Sequence, residues 1–146
     1  MKISFFNFPD DLLYEPERHV WIKVEENKVV SVGMTDLGQY LAGKIFQVSV
    51  PRRLGERVNN RTILFSVESA KWIGKIRLQI EGEVVDINER VIKNPSIINE
   101  DPYGSWIVKV SVTDVDLVKR VFKNIQDCRN QFEEEANRIV SWKNSS

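Results

Sequence analysis

A chain of 146 residues, 42% hydrophobic and 29% charged, has the composition of an ordinary globular protein with room for one modest core. Lys plus Arg and Asp plus Glu balance at 21 each, which removes any net pull toward nucleic acid or an anionic membrane. The single cysteine, Cys128, excludes an internal disulfide framework and a cysteine-based zinc site. No apolar run approaches the roughly 18 residues of a membrane span, and the N-terminus lacks the apolar core and cleavage site of a signal peptide. The expectation is one cytoplasmic domain over 1–146 that binds neither nucleic acid nor membrane.

Residues 1–16 read as a lead-in closed by Pro16. Short runs rich in Val, Ile, Phe and Trp follow at 20–24, 29–32, 45–50, 63–67, 76–80, 84–87 and 106–110. Ile76-Arg77-Leu78-Gln79-Ile80 alternates cleanly and others less so; period-two alternation marks half-buried strands. Several short strands at close spacing predict a small sandwich or barrel.

Two short helices interrupt them. One covers 35–41, with Thr35 as N-cap and Gly43 as the stop. The other covers 95–98, with Pro95 in its first turn. From Thr113 the pattern changes. Thr113-Asp114-Val115-Asp116 outlines a capping box. Leu117, Val118, Val121, Phe122, Ile125, Cys128, Phe132, Ala136, Ile139 and Val140 then recur mostly at three- and four-residue spacing. Neither Gly nor Pro interrupts 113–142. That predicts one long amphipathic helix, or two with a bend, laid on the β core, with residues 143–146 frayed.

Val67-Glu68-Ser69-Ala70-Lys71 taken alone is a strand end followed by a surface lysine. Lys71 lies between two expected strands, hence near a hairpin tip. The surrounding segments make it notable. Glu68-Ser69-Ala70-Lys71 is followed by Glu81-Gly82-Glu83-Val84-Val85-Asp86-Ile87-Asn88. Upstream stand His19-Val20-Trp21, Val32-Gly33-Met34-Thr35-Asp36, Gly43-Lys44-Ile45 and Val48-Ser49-Val50-Pro51. Downstream stand Asn94-Pro95, Asn99-Glu100-Asp101-Pro102-Tyr103-Gly104 and Trp106-Ile107-Val108-Lys109-Val110. In this order and spacing, from Tyr14 to Val110, the set resembles the glycine cleavage H-protein family. The corresponding family patterns include E-S-x-K, S-G-E-V-V-x-V-N, H-E-W, V-G-I-T-D and N-x-D-P-Y-G.

The resemblance implies a mainly β fold, the flattened lipoyl/biotinyl-carrier barrel (a barrel-sandwich hybrid) with short helices. The barrel would occupy 14–111 and the C-terminal helical segment 113–142. It implies a non-catalytic carrier with lipoate attached covalently to Lys71 by a lipoate-protein ligase, and Glu68 helping the ligase choose its lysine. Ser69, Ala70 and Trp72 complete the attachment turn. A biotin carrier would place Met on both sides of the lysine, and Ala70 and Trp72 stand there instead. The amide of a lysine side chain gives a long, stable swinging arm, while the protein supplies position and electrostatics.

Four positions depart from the family. Its H-E-W glutamate is Val20. A polar residue two places earlier is Arg18. An Asp four places after the lipoyl lysine is Lys75. A small residue after that lysine is Trp72. In the family those acidic and polar groups face a methylammonium cargo. Two bases beside such a cation would repel it by roughly 1–4 kcal/mol. Arg18, Val20 and Lys75 are therefore expected to line an arm cleft suited to an anion. With Trp72 they give the chain a likeness to the lipoate-binding H-protein-like proteins of microbial sulfur oxidation. The favoured expectation is a sulfur cargo, exchanged with a heterodisulfide-reductase-like complex and sulfur-transfer proteins. The alternative is a glycine cleavage H protein serving glycine decarboxylase, aminomethyltransferase and dihydrolipoyl dehydrogenase. A third reading keeps the fold as a binding or scaffold module without lipoate.

Other candidate sites are weaker. His19, the only histidine, has Glu15 and Glu17 nearby but no second His or Cys, so it reads as part of the fold and not as a metal ligand. Cys128 falls on the apolar stripe and reads as buried and inert. Glu133-Glu134-Glu135 reads as a solvated helix face.

Overall fold

The computed structural model describes residues 1–145. In chain order the elements are β1 (Lys2–Ile3), β2 (Phe6–Asn7), β3 (Leu13–Glu15), β4 (Val20–Val24), β5 (Val29–Met34), α1 (Asp36–Ala42), β6 (Ile45–Ser49), β7 (Arg57–Val58), β8 (Phe65–Ser69), β9 (Ile73–Ile76), β10 (Gly82–Ile87), α2 (Glu89–Lys93), α3 (Ile97–Glu100), β11 (Val108–Val112), α4 (Val115–Val121) and α5 (Ile125–Ser145). No described helix is long and apolar enough to cross a membrane.

The strands form a six-stranded sheet in the order β3-β4-β5-β11-β10-β7, a three-stranded sheet in the order β6-β8-β9, and the separate hairpin β1-β2, all antiparallel. Alternation decides which side chains meet between the sheets. In β8, Phe65, Val67 and Ser69 point inward while Ser66 and Glu68 are half-buried. In β11, Val108, Val110 and Val112 do the same. Ile22, Val32, Val84, Ile45, Val48 and Ile76 join them in one aliphatic core. The result is the barrel-sandwich arrangement expected from the resemblance.

A second core lies on the other face of β4. Trp21 points there, with Phe6 and Phe8 of the N-terminal segment, Tyr14, Leu37, and Ile125, Cys128, Phe132 and Ala136 of α5. Phe8 and Tyr14 each stand close to Phe132, with ring centroids 4.4 and 5.8 Å away. Tyr14 donates its hydroxyl to Pro9 O at 2.6 Å, and burial raises its pKa well above the usual phenol value. The helix stripe read from the sequence is thus the face that α5 buries.

The structure differs from the sequence reading at several points. The lead-in contains three short strands. The 76–80 segment alternates in burial, but β9 ends at Ile76 and residues 77–81 run on outside any sheet ladder. Residues 73–75, absent from the expected strand, supply its start. The hydrophobic spacing at 113–142 resolves into two helices, the second of the two expected arrangements, with a full break between them. Phe122 ends α4, Lys123 pairs with Tyr14 through backbone bonds of 2.8 and 3.2 Å, and Asn124 Oδ1 accepts from Asp127 N to open α5. A tertiary bridge therefore breaks the helix without Gly or Pro. The cap of α4 is Asp114, which accepts from Leu117 N, and not Thr113. The last helix continues to Ser145, past the expected frayed start at 143; Ser146 lies outside the described residues. Helix α2, capped by Asn88, is additional to the expected set, and Pro95 precedes α3 instead of entering it.

Candidate functional site

The β8–β9 hairpin turns on Ala70 and Lys71. Ser69 pairs across the tip, its N–H donating to Trp72 O at 2.8 Å. The Ser69 hydroxyl donates to Ala42 O at 2.6 Å, tying the buried base of the hairpin to the end of α1. That helix begins at Thr35, whose side chain accepts from Gly38 N at 3.0 Å, and stops at Gly43, which takes φ 77. Lys71 is exposed, and its stem crosses Gly43: a Cβ added there would fall 3.0 Å from Lys71 Cε and 3.6 Å from Nζ. The missing Cβ makes a shallow cradle for the lysine stem. An exposed lysine at a two-residue tip, with its stem supported and its base anchored, fits the attachment of a long acyl arm.

Beside the tip lies a cleft of about 400 Å³. Its floor and walls include Met34, Leu41, Ala42, Ile76 and the Trp72 indole. The indole folds across Gly74, where a Cβ would fall 2.1 Å from its Cη2. The charged lining consists of Glu17, Arg18, Lys75 and Glu135, with His19 among them. Two acids and two bases balance, so the cleft is not basic. Arg18 also sits between Glu15 and Glu17, each carboxylate 3.9 Å from its Nη1. Lys75, exposed on β9, makes no ion pair among the described residues.

His19 takes φ 57 just before β4 and is mostly buried. Its Nε2 lies 3.2 Å from Glu135 Oε1 on α5, while its buried Nδ1 has no hydrogen-bond partner among the described residues. Burial lowers its pKa below the ordinary imidazole value, against the opposing pull of Glu135 and Glu15. The ring thus turns Nε2, and not Nδ1, toward the carboxylate. No group of three or more His, Cys, Asp or Glu among the described residues is arranged to hold a metal ion.

The sequence-derived site residues separate into three places. Lys71, Ala70 and Trp72 are at the tip, with Ser69 at its base and Glu68 half-buried one step down β8. Arg18 and Lys75 line the cleft. Val20 does not: it is fully buried, and its side chain points into the aliphatic core because it opens β4 opposite Met34. The Met34 side chain reaches the cleft in its stead. Glu135 was expected on a solvated face and instead forms part of the cleft. The sequence around it carries no local signal for this, because the rotation of α5 against the barrel is set by its packing partners. Cys128 is buried, its Sγ 3.2 Å from Asn124 O, and burial pushes its thiol pKa up to about 11.

A sequence profile described as "Glycine cleavage H-protein" matches residues 12–135. The chain belongs to the glycine cleavage H-protein family. It is 97% identical over 146 residues, all of both chains, to the "Probable glycine cleavage system H protein 3" of Sulfolobus acidocaldarius. It is 68% identical over 140 residues to the protein of the same description in Saccharolobus solfataricus, covering 96% of this chain and 99% of that one. Among solved structures it is similar to a glycine cleavage system H protein from Mycobacterium marinum, with TM-score 0.74 and 26% identity, covering 85% of this chain and 98% of that one. H proteins are lipoyl carriers and not catalysts, and this family carries its lipoate covalently.

Proposed function

We propose that Lys71 is the lipoyl attachment residue and that the chain carries the aminomethyl group in glycine cleavage. The single observation that supports this best is the exposed Lys71 at the β8–β9 tip, its stem crossing Gly43 beside the cleft. When bound, lipoate supplies a dithiol that accepts and releases cargo. The protein's own residues do the rest. Ser69 fixes the hairpin to α1, Gly43 supports the stem, and Glu68 with Trp72 gives a ligase a recognisable turn. In this reading a lipoate-protein ligase loads Lys71. Glycine decarboxylase, aminomethyltransferase and dihydrolipoyl dehydrogenase take turns with the arm, in the cytoplasm. The charge balance of the cleft removes the objection that it repels cations. The names of the relatives point the same way.

One observation favours a second reading. Lys75 on the cleft wall makes no ion pair among the described residues, and Trp72 stands directly after the lysine, as in a carrier of oxidised sulfur for a heterodisulfide-reductase-like complex. The deciding experiment is the mass of the Lys71 peptide from protein purified out of its own host without reductant. A lipoyl amide supports the carrier function. Residual aminomethyl mass on the arm selects glycine cleavage, and added sulfur selects the second reading. An unmodified Lys71 overturns both and leaves a scaffold module.

A further inference from the structure

We infer that the oxidised, cargo-free lipoyl arm rests in a second hollow, between α1 and α3, on the side of α1 turned away from the cleft. The inference rests on Lys71 as the lipoyl attachment residue and holds for either cargo.

The root of the arm already lies on that side. The Lys71 stem runs over Gly43, its Cε and Nζ 3.0 and 3.6 Å from where a Cβ there would stand. The cleft meets α1 at Gly38, Leu41 and Ala42 and takes in neither Gly43 nor Lys71. Gly43 instead lines a separate hollow of about 520 Å³, with Gln39 and Tyr40 of α1, and Ser96 and Asn99 beside α3. That volume is within the range of small-ligand pockets, roughly 300–1,000 Å³. At about 3.6 residues per turn, positions 38, 41 and 42 share one face of α1 and positions 39, 40 and 43 the opposite one. The end of α1 is therefore a ridge between cleft and hollow, and the lysine crosses it where the hollow begins.

The lining of the hollow suits a neutral occupant. Asn99 donates from Nδ2 to Gly43 O at 2.9 Å and to Gln39 Oε1 at 3.0 Å, and its Oδ1 accepts from Ile45 N at 2.9 Å. Gln39 donates from Nε2 to Asp36 Oδ1 at 3.0 Å. Both amides are committed to the fold, so a neutral group entering the hollow strands no polar atom of theirs. Phe5 and Phe6 hold the Tyr40 ring edge-on, with centroids 5.5 and 5.3 Å away, and an aromatic ring is a favourable neighbour for divalent sulfur. Lys44 and Glu100, also in the lining, are exposed and opposite in charge. The cleft is different, since Glu17, Arg18, Lys75 and Glu135 set four charges around it. A cyclic disulfide carries no charge and gains nothing from them, whereas a charged cargo does. The two seats sort the arm by its load.

The test uses the full-length protein acylated in vitro by a lipoate-protein ligase, with lipoate on Lys71 confirmed by mass and the arm left oxidised. Nuclear Overhauser contacts of the dithiolane ring are read by NMR on the wild type. Contacts to the Tyr40 ring and Ser96 are expected, and none to Met34 or Ile76 of the cleft. The second readout is the rate at which tris(2-carboxyethyl)phosphine reduces the arm. The phosphine and one water become the phosphine oxide, and the ring disulfide takes two electrons and two protons to give the dithiol. Tyr40→Ala is expected to raise this rate about two- to tenfold, the range that one sulfur–aromatic contact supports. Phe46→Ala removes an exposed ring outside both cleft and hollow and is expected to leave the rate unchanged. Dithiolane contacts to Met34 and Ile76, no contacts in the hollow, or a Tyr40→Ala rate equal to that of the wild type overturn the inference. Absence of lipoate on Lys71 after ligase treatment overturns the underlying reading instead.

Discussion

The two hydrophobic cores differ in chemistry and in what they position. The core between the sheets is built largely from Val and Ile, whose branched side chains suit a pleated surface. It holds the hairpin that presents Lys71. The core under α5 is aromatic: Phe6, Phe8, Tyr14, Trp21 and Phe132 meet there. It holds a helix, and with it Glu135, against the cleft. One side of the cleft therefore depends on strand pairing and the other on a docked helix. The two can be disturbed separately.

The largest expected effects come from emptying each core in turn. Phe65→Ala and Phe132→Ala remove fully buried rings, and each is expected to cost about 3–5 kcal/mol in denaturant unfolding. Their consequences should diverge. Phe65 lies in β8, so its loss should also impair ligase modification of Lys71 in vitro. Phe132 lies in α5, so its loss should leave modification intact while freeing His19 from Glu135, visible in the His19 NMR signal. Equal loss of modification in both variants would show that the two cores act as one.

Thr35→Ala tests the joint between the cores. Thr35 is fully buried and caps α1, the helix whose end receives the Ser69 hydroxyl. A loss of about 0.5–2 kcal/mol is expected. A change within about 0.5 kcal/mol, the range of an ordinary surface substitution, would remove the cap from the account.

A smaller effect is a pH dependence on the helix side. The pKa of His19 is lowered in the fold, chiefly by burial. Near pH 6.5 the unfolded chain begins to take up a proton that the folded chain still refuses. This contribution is complete above that pH and is lost as pH falls from 6.5 toward the lower folded pKa. Melting temperature measured across this window should fall on acidification in the wild type and less in His19→Gln. A wild-type melting temperature that rises across the same window would contradict the assignment. The smallest effect is at the tip. Lys71→Arg should shift stability by no more than about 0.5 kcal/mol, because the side chain is exposed, while abolishing modification. A large drop in melting temperature would mean that Lys71 supports the fold.

The same contrast governs how much could be read from the sequence. The sheet side was legible: strand runs and the ordered motifs gave the fold, Thr35 gave the cap, Gly43 gave the stop, and the lysine fell at a hairpin tip. Alternation was less secure as a guide to hydrogen bonding. The 76–80 run keeps its burial rhythm outside the ladder, because period-two burial needs only an extended chain, not a neighbouring strand. Val20 was misplaced for a related reason. Val20 pairs with Met34 on the inner face of the sheet, and the longer Met34 side chain is the one that reaches the cleft, so a position next to His19 need not line it. The helix side was harder. The buried stripe of α5 was visible, but its rotation against the barrel is set by aromatic packing across more than a hundred residues of sequence. Nothing local to Glu133-Glu134-Glu135 shows which acid turns toward His19. The break at Phe122 is equally nonlocal, since it follows from Lys123 pairing with Tyr14.

Gly43 has a consequence for how the carrier can vary. It ends α1 in a left-handed conformation and leaves the space across which the Lys71 stem lies. A side chain there would strain the turn and lift the stem in the same stroke. The direction in which the arm departs is therefore coupled to the geometry of a helix end, and neither can be retuned alone.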